Sequence, residues 1–338
     1  MLYILIILLA FMLYVGGTLN HSEKLYEFNL QETLPLRGFL AVSVMLTHLC
    51  PHLVEDAPLL KDFGLWGPPS VASFFLLTGY GLSISYYKKG NAYLHGFFKK
   101  RLCRLIWPLL ILTIVYQTYK YYVGNFEFYS MLLEPSPMTW FIYALVIWYV
   151  GFYLSFILGK SRSQKLLLIW LFTIVYIAIT VYYRMAYYYI SILPLPMAIC
   201  YVYYENHIKR LILKYQWTIW FVILFAILII MGYCIAGQYS INLPGWGLPV
   251  NILVPWVLVY VTYYLGGWKN SITQFFGKIS YEFYIVHGFV VMQLGDLQIG
   301  SLTSYGNALL VIVIVLFITS ILAWLLNRIC SRINAIFI

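Results

Sequence analysis

The sequence predicts an all-α polytopic membrane protein with about eleven transmembrane helices. Its composition and its long apolar runs predict this class. Of the 338 residues, 63% are hydrophobic and only 9% are charged, and the mean hydropathy is +0.84. A soluble domain carries roughly 25% charged residues, so this chain lacks the polar side chains that a water-exposed surface requires. The composition therefore excludes a soluble globular protein.

The individual spans follow from the apolar runs, because a transmembrane helix needs about 20 mostly apolar residues. Such runs lie near residues 2–19, 36–54, 70–87, 102–123, 139–158, 166–184, 187–203, 217–237, 249–266, 280–295 and 306–327. The run 187–203 is interrupted by Pro194 and Pro196. The connections between runs are short, so any chemistry must come from membrane-embedded residues and short loops.

The basic residues give the orientation, since cytoplasmic loops are enriched in lysine and arginine. With the N-terminus outside, eleven spans place all but three of the 21 lysines and arginines on one side. The exceptions are Lys61, Lys120 and Arg184. We therefore expect a multi-pass protein of the cell membrane with a cytoplasmic C-terminus. The net charge of +10 then reflects topology and contact with membrane lipid, not nucleic-acid binding.

Arg37 and His48 are the most informative polar residues, because a titratable group inside a span is costly unless it is paired or faces a cavity. They lie eleven residues apart in one run. At about 100° and 1.5 Å per residue, this spacing puts them on one helix face, about 16 Å apart. We interpret the stripe between them as the wall of a substrate channel that begins at the cytoplasmic mouth. The alternatives are a snorkelling arginine and a hydrogen-bonded core histidine.

Two further runs carry candidate residues of the site interior. Run 70–87 holds Ser73, Thr78 and Gly79, whose small side chains let a ligand or a neighbouring helix approach closely. Run 280–295 places Tyr284 and His287 on one helix face, as candidates for lining the site or relaying a proton. Helix packing alone is the alternative for the first set, and a hydrogen-bonded core histidine is the alternative for His287.

A basic segment before the run 102–123 holds Lys100, Arg101 and Arg104. Arg101 and Arg104 share a helix face at a spacing of three residues. Arginine binds phosphate through a planar fork of donors, so the segment is a candidate docking site for a polyphosphorylated donor. A plain cytoplasmic loop is the alternative.

Five segments, taken in order, resemble the acyltransferase 3 family. They are residues 37–48 with arginine and histidine at the two ends, 73–80 (SFFLLTGY), 98–108 (FKKRLCRLIWP), 139–142 (TWFI) and 277–287 (GKISYEFYIVH). The resemblance covers residues 34–327 and implies a ten-helix core that begins with the Arg37 helix. We therefore divide the chain into an N-terminal transmembrane helix with a cytoplasmic linker, residues 1–33, and a membrane-embedded acyltransferase domain, residues 34–338.

The resemblance implies a membrane-bound O-acyltransferase. Its co-substrate would be acetyl-CoA or another acyl-CoA. Its acceptor would be a hydroxyl of a cell-surface polysaccharide or a lipid-linked glycan. We expect no tightly bound cofactor and no metal, and polysaccharide-biosynthesis proteins as partners. With such a donor, His48 and Arg37 form the catalytic pair, His48 acting as general base or transient acyl carrier. Lys100, Arg101 and Arg104 then bind the donor.

A transporter is the alternative interpretation. A flippase of glycan lipids or an exporter of an anionic solute would use the same cationic mouth and the same buried histidines. Transporters often show repeated halves or paired broken helices. We find no repeat here, although Pro194 and Pro196 mark one break. The sequence leaves open the acceptor, the acyl group and the oligomeric state.

Overall fold

The computed structural model describes residues 33–49, 53, 62–124, 139–214, 225, 232, 247–264, 271–296 and 305–337. Within these ranges the chain forms α-helices and short 3-10 turns, and no strand. The predicted all-α class is therefore confirmed. The predicted spans near 2–19 and 217–237 lie outside the described residues, apart from the single positions 225 and 232. The count of eleven spans and the division at residue 33 stay predictions.

The helices are α1 (Thr33–Leu49), α2 (Gly67–Lys89), α3 (Phe97–Tyr122), α4 (Trp140–Leu158), α5 (Arg162–Tyr182), α6 (Ala186–Ile190), α7 (Pro194–Lys214), α8 (Gly247–Tyr264), α9 (Ser271–Lys278), α10 (Ser280–Asp296) and α11 (Tyr305–Phe337). Short 3-10 turns, Asp62–Trp66 and Gly90–Leu94, precede α2 and α3. In the described part of the chain, α3, α4, α5 and most of α11 are long and apolar enough to cross a membrane. The protein is therefore a helical membrane protein.

The run 187–203 forms two helices instead of one span. Helix α6 ends at Ile190 and α7 begins at Pro194, because proline fits the first position of a helix but not its interior. The break leaves backbone groups without helical partners. The side-chain amide of Asn251 on α8 donates a hydrogen bond of 3.3 Å to the carbonyl oxygen of Ile190. Such a bond is what allows irregular backbone within a membrane bundle.

The centre of the bundle is formed by α1, α2 and α10. Helix α2 packs against α1, α7 and α8, and α1 also packs against α9 and α10. Helices α3, α5 and α11 lie outside and expose rows of large apolar side chains, such as Leu167, Leu171 and Ile174 on α5. Such rows suit contact with lipid. These outer helices therefore help to shield from lipid the helices that carry the candidate histidines.

Two glycines allow the central helices to approach closely. A Cβ atom on Gly79 would overlap the carbonyl oxygen of Leu195 on α7, and one on Gly277 would overlap the carbonyl oxygen of Leu34 on α1. Glycine is the residue that permits such backbone contact between helices. These contacts fix α2 against α7 and α1 against α9.

Candidate active site

Two histidines from different helices meet in the centre of the bundle. The imidazole rings of His48 and His287 stack, with ring centroids 5.4 Å apart and an angle of 28° between the planes. His48 lies in the last turn of α1 and is half-buried. His287 lies in α10 and has no exposed surface (0%). The structure thus pairs two residues that the sequence offered as separate candidates.

An aromatic wall lies on one side of the histidine pair. Tyr284 lies one turn before His287 on α10, and its ring meets the imidazole edge-on at 5.5 Å. The rings of Phe141 and Phe74 pack against Tyr284 at centroid distances of 5.1 and 6.4 Å. Phe74 and Phe141 belong to two of the segments that carry the family resemblance. Four of the five segments therefore converge on this one wall.

A second cluster gathers three arginines around a buried tyrosine. The side chain of Tyr149 on α4 is buried and interacts electrostatically with Arg37, Arg101 and Arg104. Arg37 and Arg101 are also close enough to affect each other electrostatically. The first turns of α1 and α3 therefore lie on the same side of the bundle, and donor binding there stays a prediction.

Arg101 is held in place by a neighbouring ring. Its guanidinium donates a hydrogen bond to the hydroxyl of Tyr93 and lies 5.7 Å from the centre of that ring. Arg101 is half-buried, whereas the side chains of Arg104 and Lys100 are exposed. Arg37, Arg101 and Arg104 are thus brought together, and Lys100 lies on the adjoining exposed surface.

The charge of the arginine cluster is not balanced by a carboxylate among the side chains that the structure describes. Glu282 is the one acidic residue whose side chain falls within that part. It accepts a hydrogen bond from Asn327 on α11. Like charges held together without an acidic partner favour an anion. The cluster is therefore a candidate binding site for phosphate groups.

Helix geometry gives the separation of the two clusters. On α1, Arg37 and His48 are eleven residues apart, and on α4, Phe141 and Tyr149 are eight residues apart. At 1.5 Å per residue these spacings correspond to about 16 and about 12 Å. A ligand that binds both clusters must therefore be elongated.

The small residues of α2 take part in helix packing. The hydroxyls of Ser73 and Thr78 donate hydrogen bonds of 2.8 and 2.9 Å to carbonyl oxygens four residues earlier in their own helix. Gly79 provides the close contact with α7 described above. A lining role for these three residues stays a prediction.

Sequence reasoning missed Tyr149, Tyr93, Phe74 and Phe141. The two phenylalanines were within reach, because they lie inside segments that resemble the family. Tyr149 and Tyr93 had no such signal, since tyrosine is also the residue expected at membrane interfaces. Tyr149 and Tyr93 can be recognised as site residues only in the structure, where arginines lie beside them.

No curated protein and no solved structure matches the chain. The model of a family described as an acyltransferase domain does match, over residues 36–328. This range is nearly the one over which the resemblance was seen, and it covers most of the chain. It includes both the histidine pair and the arginine cluster. The chain therefore belongs to the acyltransferase 3 family, whose general activity is acyl transfer.

Proposed function

We propose that the protein is a membrane-bound O-acyltransferase of the cell membrane. It transfers an acyl group, with acetyl as the first candidate, from cytoplasmic acyl-CoA to a hydroxyl of a cell-surface polysaccharide or lipid-linked glycan. Family membership supports acyl transfer. The observation that carries the finer proposal is the pair of clusters, cationic at one end and histidine-lined at the other. The break between α6 and α7 also suits a transporter, but the family match favours acyl transfer.

The two clusters suit the shape of acyl-CoA. CoA carries its phosphates at one end and its thioester at the end of a long, thin pantetheine arm. Arg37, Arg101 and Arg104 bind the phosphates through charge-assisted hydrogen bonds. The arm then extends along α1 and presents the thioester beside His48.

His48 moves the proton in the transfer. Its neutral imidazole takes the proton from the acceptor hydroxyl, and the hydroxyl oxygen attacks the thioester carbonyl carbon. A C–O bond forms and the C–S bond breaks, and the departing CoA thiolate takes the proton from the imidazolium. In the alternative sequence, the unprotonated nitrogen of His48 attacks the thioester carbonyl carbon, and the C–S bond breaks to release CoA thiolate. The acceptor hydroxyl then attacks the acyl-imidazolium, the C–N bond breaks, and the hydroxyl proton passes to the thiolate.

The aromatic wall keeps water away from the thioester. Tyr284, Phe74 and Phe141 pack together beside the histidines. A dry site limits hydrolysis of the donor and strengthens the electrostatic interactions inside it. The ring contacts thus favour transfer to a bound sugar over transfer to water.

The orientation follows from the arginine cluster. If the arginines bind cytoplasmic acyl-CoA, the ends of α1 and α3 that carry Arg37 and Arg101 face the cytoplasm. The N-terminus then lies outside and the C-terminus inside, with the histidine pair towards the outer half of the membrane. Glycan acceptors and polysaccharide-biosynthesis proteins would be met from that outer half, among membrane lipids.

The proposal is tested by the mass of the surface glycans from cells with and without the gene. We expect a difference of one acyl group per modified sugar, restored by the wild-type gene. The purified protein should also transfer label from radiolabelled acetyl-CoA to the isolated glycan, and a series of acyl-CoA thioesters would identify the acyl group. Identical glycan masses together with no transfer of label from any thioester would overturn the proposal.

A further inference from the structure

His287 is the polar side chain in this bundle whose position is hardest to explain by packing. It is fully buried (0% exposed), and neither ring nitrogen meets hydrogen-bond geometry with any described residue. The backbone groups of Phe283 and Tyr284 on its own helix approach the ring closely enough for a weak hydrogen-bonding interaction, but none of these contacts has the geometry of a full hydrogen bond. Its ring contacts are aromatic, with His48 on one side and Tyr284 on another.

Burying such an imidazole lowers the stability of the folded protein. A buried polar group without a partner loses its hydrogen bonds to water and gains nothing in return. Native proteins satisfy the great majority of such groups, and the exceptions mark functional sites. Contact with His48 distinguishes His287 from the other described side chains that have an unpartnered polar atom, and its unfilled hydrogen-bonding capacity fits a ligand atom that is present only during the reaction.

The stacking with His48 indicates where that atom lies. Because the two rings stack with centroids 5.4 Å apart, one small reacting group can reach both imidazoles. Acyl transfer has two polar atoms close together that need partners, namely the attacking hydroxyl oxygen and the carbonyl oxygen of the thioester. One imidazole can therefore hydrogen-bond the hydroxyl, and the other can hydrogen-bond the carbonyl oxygen.

The difference in burial between the two histidines indicates which one is the general base and which one is the hydrogen-bond donor. The general base must give up its proton at the end of every turnover, so it suits the half-buried His48 on the path from the arginine cluster. A group that only donates a hydrogen bond keeps its proton throughout, so it suits the sealed position of His287. Preorganised donors in a dry site stabilise developing negative charge most effectively.

We infer that His287 is a second catalytic residue, which donates an N–H hydrogen bond to the carbonyl oxygen of the thioester. As the acceptor oxygen attacks, the carbonyl π electrons move onto that oxygen, and the N–H bond of His287 stabilises the resulting charge. When the C–S bond breaks, the electrons return to the carbonyl, and His287 still holds its proton. The inference rests on the proposed acyl transfer.

The test distinguishes the loss of a hydrogen-bond donor from a change in side-chain volume. His287→Leu fills the site without a donor, whereas His287→Asn and His287→Gln keep an amide N–H. We expect kcat of the leucine variant to fall about 100- to 1,000-fold, with the KM for acetyl-CoA within about twofold of wild type. The better of the two amide variants should recover about tenfold of that loss. If the leucine variant does not accumulate in the membrane, His287→Met makes the same comparison.

Ser83→Ala is the matched control. Its hydroxyl is likewise buried without a hydrogen-bond partner, but it lies nine residues beyond Phe74 on α2, about 13 Å along the helix. We expect its kcat to stay within twofold of wild type. A similar loss in this variant would mean that any buried polar deletion disturbs the enzyme, and would overturn the assignment.

The pH profile distinguishes a donor from a base. The acidic limb of the kcat profile, which reports protonation of His48, should persist in the His287 variants. The inference is wrong if the leucine variant keeps more than half of kcat, if both amide variants are as inactive as it is, or if the acidic limb disappears. Failure of the proposed function would look different from failure of this inference. In that case the wild-type protein would transfer no acyl group, and His48→Ala would behave as wild type does.

Discussion

The histidine pair and the arginine cluster differ most in their contact with water. His287 is sealed behind aromatic rings, whereas Arg104 and Lys100 extend from the exposed first turns of α3. Two charges 4 Å apart interact by about 1 kcal/mol in water, but by about 4 kcal/mol at the effective dielectric of a protein site. A polar group therefore interacts more strongly with its neighbours at the histidine pair than at the exposed side of the arginine cluster. We expect reaction chemistry at the histidines and donor recognition at the arginines.

His48→Ala should give the largest effect. It removes the proposed base or acyl carrier from the dry cluster, and loss of a positioned base lowers kcat about 100- to 10,000-fold. The measurement is the amount of base-labile ester on the surface glycan, with the membrane level of the protein as a check. His95→Ala is the control, because His95 is exposed in the turn before α3. Full esterification in the His48 variant would refute the catalytic assignment.

The double variant Arg101→Ala/Arg104→Ala should act on KM instead of kcat. A hydrogen bond to a charged group contributes about 1.5–3 kcal/mol, so the KM for acyl-CoA should rise about 10- to 100-fold. The kcat at saturating donor should stay within about threefold, because the histidine pair is unchanged. Steady-state kinetics on purified protein measure both.

Lys88→Ala/Lys89→Ala is the control for this double variant. These lysines are exposed in the last turn of α2, so the variant removes the same charge on the side that we propose to be cytoplasmic. Its KM should change less than twofold. An unchanged KM in the arginine variant, or an equal rise in both variants, would exclude a specific donor site.

Most of the fold follows from the sequence, because apolar runs of membrane-spanning length leave little choice but helix. The exceptions are local. Helix α9 (Ser271–Lys278) is short and amphipathic, and it lies between two predicted spans, where the sequence predicts only a connection. The break between α6 and α7 depends on Asn251, which lies far along the chain from the backbone that it satisfies.

The site is less predictable, since its residues come from separate helices. The helical spacing of Arg37 and His48 revealed one stripe, but nothing in the sequence states that His287 would stack on His48. Ser73 and Thr78 looked available for a ligand, yet each hydroxyl bonds its own helix. Within a helix, a serine or threonine hydroxyl can donate its hydrogen bond to the carbonyl oxygen four residues earlier instead of to a ligand.

Tyr149→Phe tests a group at the boundary of the two clusters. The substitution keeps the buried ring but removes the hydroxyl that interacts electrostatically with Arg37, Arg101 and Arg104. A single hydrogen-bonding hydroxyl contributes about 1 kcal/mol, so we expect the KM for acyl-CoA to rise about fivefold and kcat to stay nearly unchanged. A melting temperature close to wild type would show that the ring still packs. If kcat fell and KM did not, Tyr149 would belong to the chemistry and the division between the clusters would be wrong.

Lys100→Ala should have the smallest effect. Its side chain is exposed, so its attraction for a phosphate passes through water and is screened beyond about 8 Å at physiological ionic strength. Exposed charge pairs contribute about 0–1 kcal/mol, which corresponds to a change in KM for acyl-CoA of less than about fivefold. The change should grow when KM is measured at about 10 mM salt, where the screening length reaches about 30 Å. A tenfold rise in KM that does not depend on salt would mean that Lys100 binds the donor directly, and the donor site would then extend beyond the three arginines onto the exposed surface.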